Sequence, residues 1–443
     1  MDDVAVEVDT PGGRLGISGR IAPGHEGVLD AFVRNFTEHG EVGAAFSLVH
    51  DGRTVVDLWG GVADAATGAP YTEDTLQLVF SSTKGATALC AHLLAQRGEL
   101  DLDAPVATYW PEFARNGKRD IPVRWLLCHK AGLPYVDAPL GLDDLLDWER
   151  PVEALAAMAP VWEPGTAHGY HAVTYGWLVG EVVRRVTGRS LGTFFAEEVA
   201  RPLGLELWIG LPDDQQGRVA PLTNRGLRPA RARDAAPAAA AQAHAPGMGA
   251  ETPSTGGAGG AAADEGGDLV ATVEALLGPD SLLLRALGGS TALPLVGDGV
   301  FNEPRVRAAE LPAANGVTTA RSLARMYAAT IGQVEGADAG PLLGPEQLAA
   351  ATARQTDGSD RVLLLETVFG LGYMLSSEFS PYGSPRSFGH AGAGGSVGFA
   401  DPDNGLGFGY VMNRMVANLS GDPRSRGLVA AVYDAIGVEP AFA

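Results

Sequence analysis

Val79-Phe80-Ser81-Ser82-Thr83-Lys84-Gly85 stands where a short apolar run gives way to ATALCAHLLAQRG at 86–98, a stretch with helical character. Residues three apart on a helix are neighbours, so this spacing puts the Ser81 hydroxyl and the Lys84 amine on one face of a helix start. A helix start also presents free backbone N–H groups and the positive end of the helix dipole, which favour an oxyanion and disfavour an ammonium. A serine with a base in reach and anion-stabilising backbone around it is what nucleophilic catalysis requires. The plainer reading of the same residues is an N-cap serine followed by a surface lysine.

Lysine usage bears on that choice. Of 32 basic residues only Lys84, Lys118 and Lys130 are lysine. Arginine keeps its proton near neutral pH, whereas a desolvated lysine gives it up, so a lysine kept in this chain is a candidate for proton chemistry. The Ser-x-x-Lys pattern occurs once: Arg115 and Leu127 stand three residues before the other two lysines.

Composition narrows the function classes. With 443 residues, 46% of them hydrophobic, the chain can bury a sizeable core. A formal charge of −21 repels phosphate backbones and anionic membranes, so nucleic acid is excluded as an expected partner. No run approaches the roughly 18 apolar residues of a membrane span, and the acidic MDDVAVEVDTPGG start lacks the features of a secretory leader. Cys90 and Cys128 lie in separate apolar runs and imply no disulfide framework. These features point to a cytoplasmic protein. His168 and His171 form a lone pair without further ligands, and neither cysteine has a Cys-x-x-Cys neighbour, so no metal is expected. The glycines at 256–260 lack the flanks of a phosphate loop, and no cofactor is expected. The oligomeric state is not legible.

Along the chain, 43–61 (GAAFSLVHDGRTVVDLWGG) reads as a hairpin turning at Asp51-Gly52. A helical stripe of Leu29, Phe32, Val33 and Phe36 precedes it. Strand patterns return at VFGLGYMLS, GGSVGFADP and LGFGYVMNRM, followed by a helix around RGLVAAVYDAI. Helical patterns at 84–97, 121–129, 141–158, 172–187 and 318–331 lie between. The expected organisation is an α/β unit built from residues 1–80 and 311–443, with a helical unit at 81–310 inserted in it and a site in the crevice between. Residues 229–268, almost wholly Ala, Gly and Pro with small polar residues, read as a solvated insertion or a flap over that site.

The blocks around Ser81 resemble the serine β-lactamase-like and penicillin-binding protein superfamily, and within it the family VIII carboxylesterases. The resemblance covers about 40–210 and 310–415. It rests on VFSSTKGATA at 79–88, GELDLDAPVATYWPEF at 98–113, LLCHKAGLP at 126–134, WEPGTAHGYHAVTYGWLVGEVVRRVTG at 162–188 and FGHAGAGGSVGFADP at 388–402. It implies a β-lactamase/transpeptidase-like fold, α/β plus all-α, with an antiparallel sheet flanked by helices.

By the same resemblance Ser81 is the nucleophile, Lys84 its base, and Tyr170 the tyrosine that shares the base and acid roles; Tyr175 is its competitor for that position. Ala172 stands where lactamases and peptidases carry an amide-binding asparagine. His390-Ala391-Gly392 stands in the Lys-Thr-Gly-like strand, with the Ala393 amide joining that of Ser81 as oxyanion donor and with His390 and Gly392 at the substrate. Both departures tilt the implied activity toward short-chain or small-molecule esters. An acyltransferase of a biosynthetic pathway, a β-lactamase or DD-peptidase, and a non-catalytic binding paralogue remain as alternatives.

A second serine pattern, Gly394-Gly395-Ser396-Val397-Gly398, has the spacing of a nucleophile elbow. The elbow requires a helix after the serine and a later histidine. Here strand-like residues follow, and no histidine comes after His390.

Overall fold

Period-2 alternation begins earlier than expected. Val4, Val6 and Val8 sit directly across from Gly19, Ile17 and Leu15 in a hairpin of β1 (Asp2–Thr10) and β2 (Gly13–Ile21). Reading residues 1–13 for leader features passes over this pattern, so the sheet starts at Asp2 and not at Gly43. The computed structural model describes residues 1–224, 278, 280–288, 299–337, 340–416 and 418–442. The segment 229–268 lies outside them.

Helix α1 (Glu26–Thr37) follows, burying Val28, Ala31, Phe32 and Phe36. Asp51 and Gly52 take φ of 47° and 77°, the pair a type I′ turn needs, and join β3 (Gly43–His50) to β4 (Arg53–Asp64) as expected. Next come α2 (Thr83–Gln96), α3 (Thr174–Thr187) and α4 (Ala320–Ile331). The C-terminal part supplies β5 (Thr356–Ser359), β6 (Glu366–Phe369), β7 (Met374–Leu375), β8 (Phe388–Ala391), β9 (Val397–Asp401), β10 (Leu406–Met412) and α5 (Pro423–Ala435).

The spatial order is β1-β2-β4-β3-β10-β9-β8-β7-β6-β5, and the short strand Ala69–Pro70 on β4 makes eleven. Every pairing is antiparallel. The seam is β3 against β10, from Ala44 opposite Met412 to His50 opposite Leu406, so the two chain ends close one sheet. Between them the helical pattern at 121–129 shortens to Val123–Leu127. That at 141–158 divides into Leu142–Leu146 and Glu149–Ala157, where Asp147 turns to an extended ψ of 112°.

Alternation along β10 sets the two faces. Phe408 and Tyr410 point one way, Phe408 against Phe46 and Phe399, Tyr410 toward Asn35 of α1. Gly407 and Gly409 point the other way, and α4 lies directly on them. Helix α2 is buried on all sides from Thr83 to Leu94, as a helix apolar all round must be. It runs between α3 and β8, and its first turn therefore opens at the junction of sheet and helices.

A β-carbon added at Gly409 falls 2.4 Å from the Ala320 carbonyl oxygen. Backbone on both sides cannot yield freely, and such overpacking costs about 1–3 kcal/mol. Gly409→Ala is expected to lower the urea midpoint while leaving the far-ultraviolet circular dichroism unchanged; an unaltered midpoint contradicts this account of the α4 contact.

Candidate active site

Phe80 takes φ 43°, a left-handed conformation that costs a residue with a β-carbon on the order of 1–3 kcal/mol. The turn brings the chain from the short strand Gln77–Leu78 into α2 and leaves Ser81 at the mouth of the helix. It is closed by Ser82 N–H to Val79 O at 3.1 Å and Thr83 N–H to Phe80 O at 2.9 Å. The Ser81 amide has no hydrogen-bond partner among the described residues.

Lys84 is fully buried, with Nζ 2.9 Å from Ser81 Oγ, 2.6 Å from Ala172 O and 3.0 Å from Ala313 O. A neutral amine has two hydrogens and one lone pair. With the amine neutral, the two carbonyls would take its hydrogens and its lone pair would be left for the Ser81 O–H, whereas an ammonium would donate to all three oxygens. Burial holds the Lys84 amine well below its ordinary pKa. Position 172 thus acts on Lys84 through its backbone carbonyl, whatever its side chain.

The Tyr170 ring lies 4.8 Å from Lys84 Nζ. Burial pushes its phenol far above the usual range, and the hydroxyl's interaction with the Ser81 side chain only partly opposes this. Tyr170 is therefore protonated. Its backbone N–H donates to Asp360 Oδ1 at 3.0 Å, and the same oxygen accepts from Val362 and Leu363 N–H, each at 2.8 Å. Tyr175 lies farther off, 5.8 Å from Nζ, buried against Gly372 as a core aromatic.

Histidines surround this centre. The His129 ring packs 5.0 Å from Tyr170, and its Nδ1 accepts from His171 N–H. His171 donates from Nδ1 to Gly169 O and accepts Leu133 N–H at Nε2. Burial lowers His171 to about 4 and His390 to about 3. Burial lowers His129 as well, and among the described residues no carboxylate pairs with Lys84 Nζ.

The turn at 392–396 faces Ser81. Ala393 lines the cleft with Ser81 and Tyr170, and its N–H has no partner among the described residues. Gly392 differs from expectation: its N–H is occupied by Ser396 O at 2.7 Å. What Gly392 contributes is room, since a β-carbon there would lie 2.2 Å from Val79 O. His390 differs too. It is buried behind Tyr170, ring centroids 6.0 Å apart, with Nδ1 bonded to Ala391 O, and it does not line the cleft. Ser396 Oγ donates to Val79 O at 2.9 Å and lies 3.3 Å from Ser82 Oγ. It sits between two strands, with no helix behind it, and ties the 392–396 turn to the Ser81 turn.

The cleft is walled by Phe80, Leu287, Leu363, Met374, Phe379 and Leu419, and among the described residues no charged side chain lines it. No metal-binding cluster is present among the described residues. Lys118 is structural, donating to the carbonyls of Ala156 and Met158. Cys90 and Cys128 are free and buried. The Ala313 carbonyl, Asp360 and His129 were not found from sequence. A carbonyl has no side-chain signature, and Asp360 is 190 residues from the tyrosine it holds.

A serine at a helix mouth with a buried lysine one turn along, beside an antiparallel sheet, places the protein in the β-lactamase/transpeptidase-like class. The chain belongs to the Beta-lactamase family, which matches residues 29–432. It is 35% identical over 419 residues to Esterase/beta-lactamase LipL of Mycobacterium tuberculosis, covering 93% of this chain and 86% of that protein. A family VIII carboxylesterase crystal structure superposes with TM-score 0.77 at 36% identity, covering 95% of this chain and 99% of that one. A penicillin-binding protein homologue from Caulobacter crescentus superposes with TM-score 0.74 at 37% identity, covering 95% and 99%. Among the described residues no helix is long and apolar enough to cross a membrane.

If Lys84 acts by accepting a proton, arginine cannot replace it, since a guanidinium stays charged. Lys84→Arg is expected to be nearly as inactive as Lys84→Ala. The active form is the deprotonated one, so wild-type kcat/KM should rise with pH through an apparent pKa below the ordinary lysine value, a property of the coupled Lys84–Tyr170 site. A folded Lys84→Arg enzyme keeping more than about a tenth of wild-type kcat/KM, a barrier change under ~1.4 kcal/mol, removes Lys84 from the role of base.

Proposed function

We propose that the protein is a serine carboxylesterase that hydrolyses small uncharged esters through an acyl-enzyme on Ser81. The carrying observation is the 2.9 Å contact of Lys84 Nζ with Ser81 Oγ while two carbonyls occupy the other valences of the amine. Ser81 Oγ attacks the ester carbon and its proton passes to Nζ. The amides of Ser81 and Ala393 hold the oxyanion. As the tetrahedral species collapses, the leaving alkoxide takes the Tyr170 phenol proton, and the Lys84 ammonium restores it. Water then attacks the acyl-enzyme, its proton passing through the same pair to Ser81 Oγ as the acid departs. None of these steps calls on a cofactor.

The cleft supports esters over β-lactams and D-alanyl peptides. Those ligands carry a carboxylate, and the described walls, apolar, offer no cation to receive one. Tyr170 protonated and His390 neutral add none. A β-lactam-hydrolysing reading is kept in view by the likeness to Esterase/beta-lactamase LipL. Two buried free thiols support a reducing compartment, the cytoplasm.

Ser81→Ala is expected to abolish hydrolysis of p-nitrophenyl butyrate, and Ser396→Ala to keep most of it, because the Ser396 hydroxyl only bridges two turns. Wild-type kcat/KM for p-nitrophenyl butyrate should exceed that for nitrocefin by about a hundredfold or more, the loss of one charge-assisted contact or so. Comparable values for the two substrates contradict the ester assignment, and an active Ser81→Ala enzyme contradicts the mechanism.

A further inference from the structure

Arg424, at the start of α5, is 1% exposed, and Glu41 and Asp422 beside it are buried as well. Its five N–H donors are all accounted for. Nε donates to Asp422 Oδ1 at 3.0 Å. Nη1 donates to Glu41 Oε2 at 2.7 Å and Arg414 O at 2.9 Å. Nη2 donates to Asp422 Oδ2 at 2.7 Å and to the carbonyl oxygen of Gly394 at 2.6 Å. Asp422 is itself fixed, capping α5 through Arg424 N–H at 2.8 Å and accepting from Asn418 Nδ2 at 3.0 Å. Tyr410 O–H donates to Glu41 Oε2 at 2.5 Å, which ties the trio to the central strand β10.

The Gly394 carbonyl belongs to the Gly394–Gly395 peptide, two units along the same turn from the one that carries the Ala393 N–H. Apart from Arg424 it receives one longer bond, from Val416 N–H at 3.3 Å. Gly395 has φ 128°, and a β-carbon there would lie 2.3 Å from Arg424 Nη2 and 2.6 Å from Asp422 Oδ2. The turn is thus shaped to let a guanidinium reach its back, while its front bears the unpartnered Ala393 amide.

We infer that Arg424, locked by Glu41 and Asp422, is a positioning residue for the oxyanion site: by holding the Gly394 carbonyl it aims the Ala393 N–H into the cleft. The inference rests on the proposed role of the Ala393 amide. A planar fork with donors on three sides does this; the ammonium of a lysine is a single point and cannot reach Glu41, Asp422 and Gly394 together. Arg424 does not touch substrate, so its effect must appear where negative charge grows on the ester oxygen.

The test compares an aryl ester with its thionoester, in which sulfur, a weak hydrogen-bond acceptor, replaces the carbonyl oxygen. The ratio of kcat/KM values is independent of how much enzyme is folded, so a purely structural role for Arg424 does not move it. The wild type is expected to favour the oxygen ester by about a hundredfold, the scale of one oxyanion donor. Arg424→Lys is expected to narrow that ratio by about tenfold or more. Gly395→Ala keeps all three charged residues, crowds Arg424 Nη2, and is the second variant, carrying the same expectation should Arg424→Lys fail to fold. A wild-type ratio in a folded variant overturns the clamp. No discrimination by the wild type overturns the Ala393 oxyanion assignment itself, a distinct outcome.

Discussion

A buried ammonium with no carboxylate beside it is held at a cost of several kcal/mol, and Lys84 faces three oxygens, none of them charged. Burial lowers the amine and so favours its deprotonated form. Once neutral, the amine has the two donors that the Ala172 and Ala313 carbonyls accept and a lone pair for the one hydroxyl in reach, that of Ser81. Burial raises the Tyr170 phenol by the same physics that lowers Lys84. One environment therefore favours the neutral form of both groups beside the same serine.

The fold exists to keep that environment dry and fixed. Helix α2 presents its first turn at the junction of sheet and helices because its other faces are buried, and α4 reaches the sheet closely through Gly407 and Gly409. The carbonyl of Ala172 comes from the turn before α3, and that of Ala313 from the segment before α4. Ser396, buried, joins the two turns that carry the Ser81 and Ala393 amides. The contacts of 2.6–3.0 Å at Lys84 thus depend on elements far apart in sequence.

Much of this was legible in the sequence, for identifiable reasons. Ser81 and Lys84 were readable because one helical turn fixes their relation locally. The 43–61 hairpin was readable because Asp51-Gly52 dictates its turn. The family resemblance placed Tyr170, which spacing alone does not separate from Tyr175. Burial distinguishes them: Tyr170 opens on the cleft, whereas Tyr175 is sealed against Gly372. Contributions made by backbone were illegible, among them the Ala313 carbonyl, the occupied Gly392 amide and the left-handed Phe80. Contacts across the chain were equally hidden, such as Asp360 with Tyr170 and Arg424 with Gly394. The β1–β2 hairpin was legible in its period of two and was passed over.

The neutral state of Lys84 is open to direct observation, because the chain has only three lysines. Lysine labelled with carbon-13 at the ε position gives one signal for each, with that of Lys84 identified by its loss in Lys84→Arg. Lys118, lowered by burial to about 8, provides an internal reference that titrates within the accessible range. At pH 7 the Lys84 ε-carbon and its protons are expected at the shifts of a free amine, moving toward those of an ammonium only as the pH falls. Ammonium shifts for Lys84 at pH 7 in the resting enzyme would contradict the account.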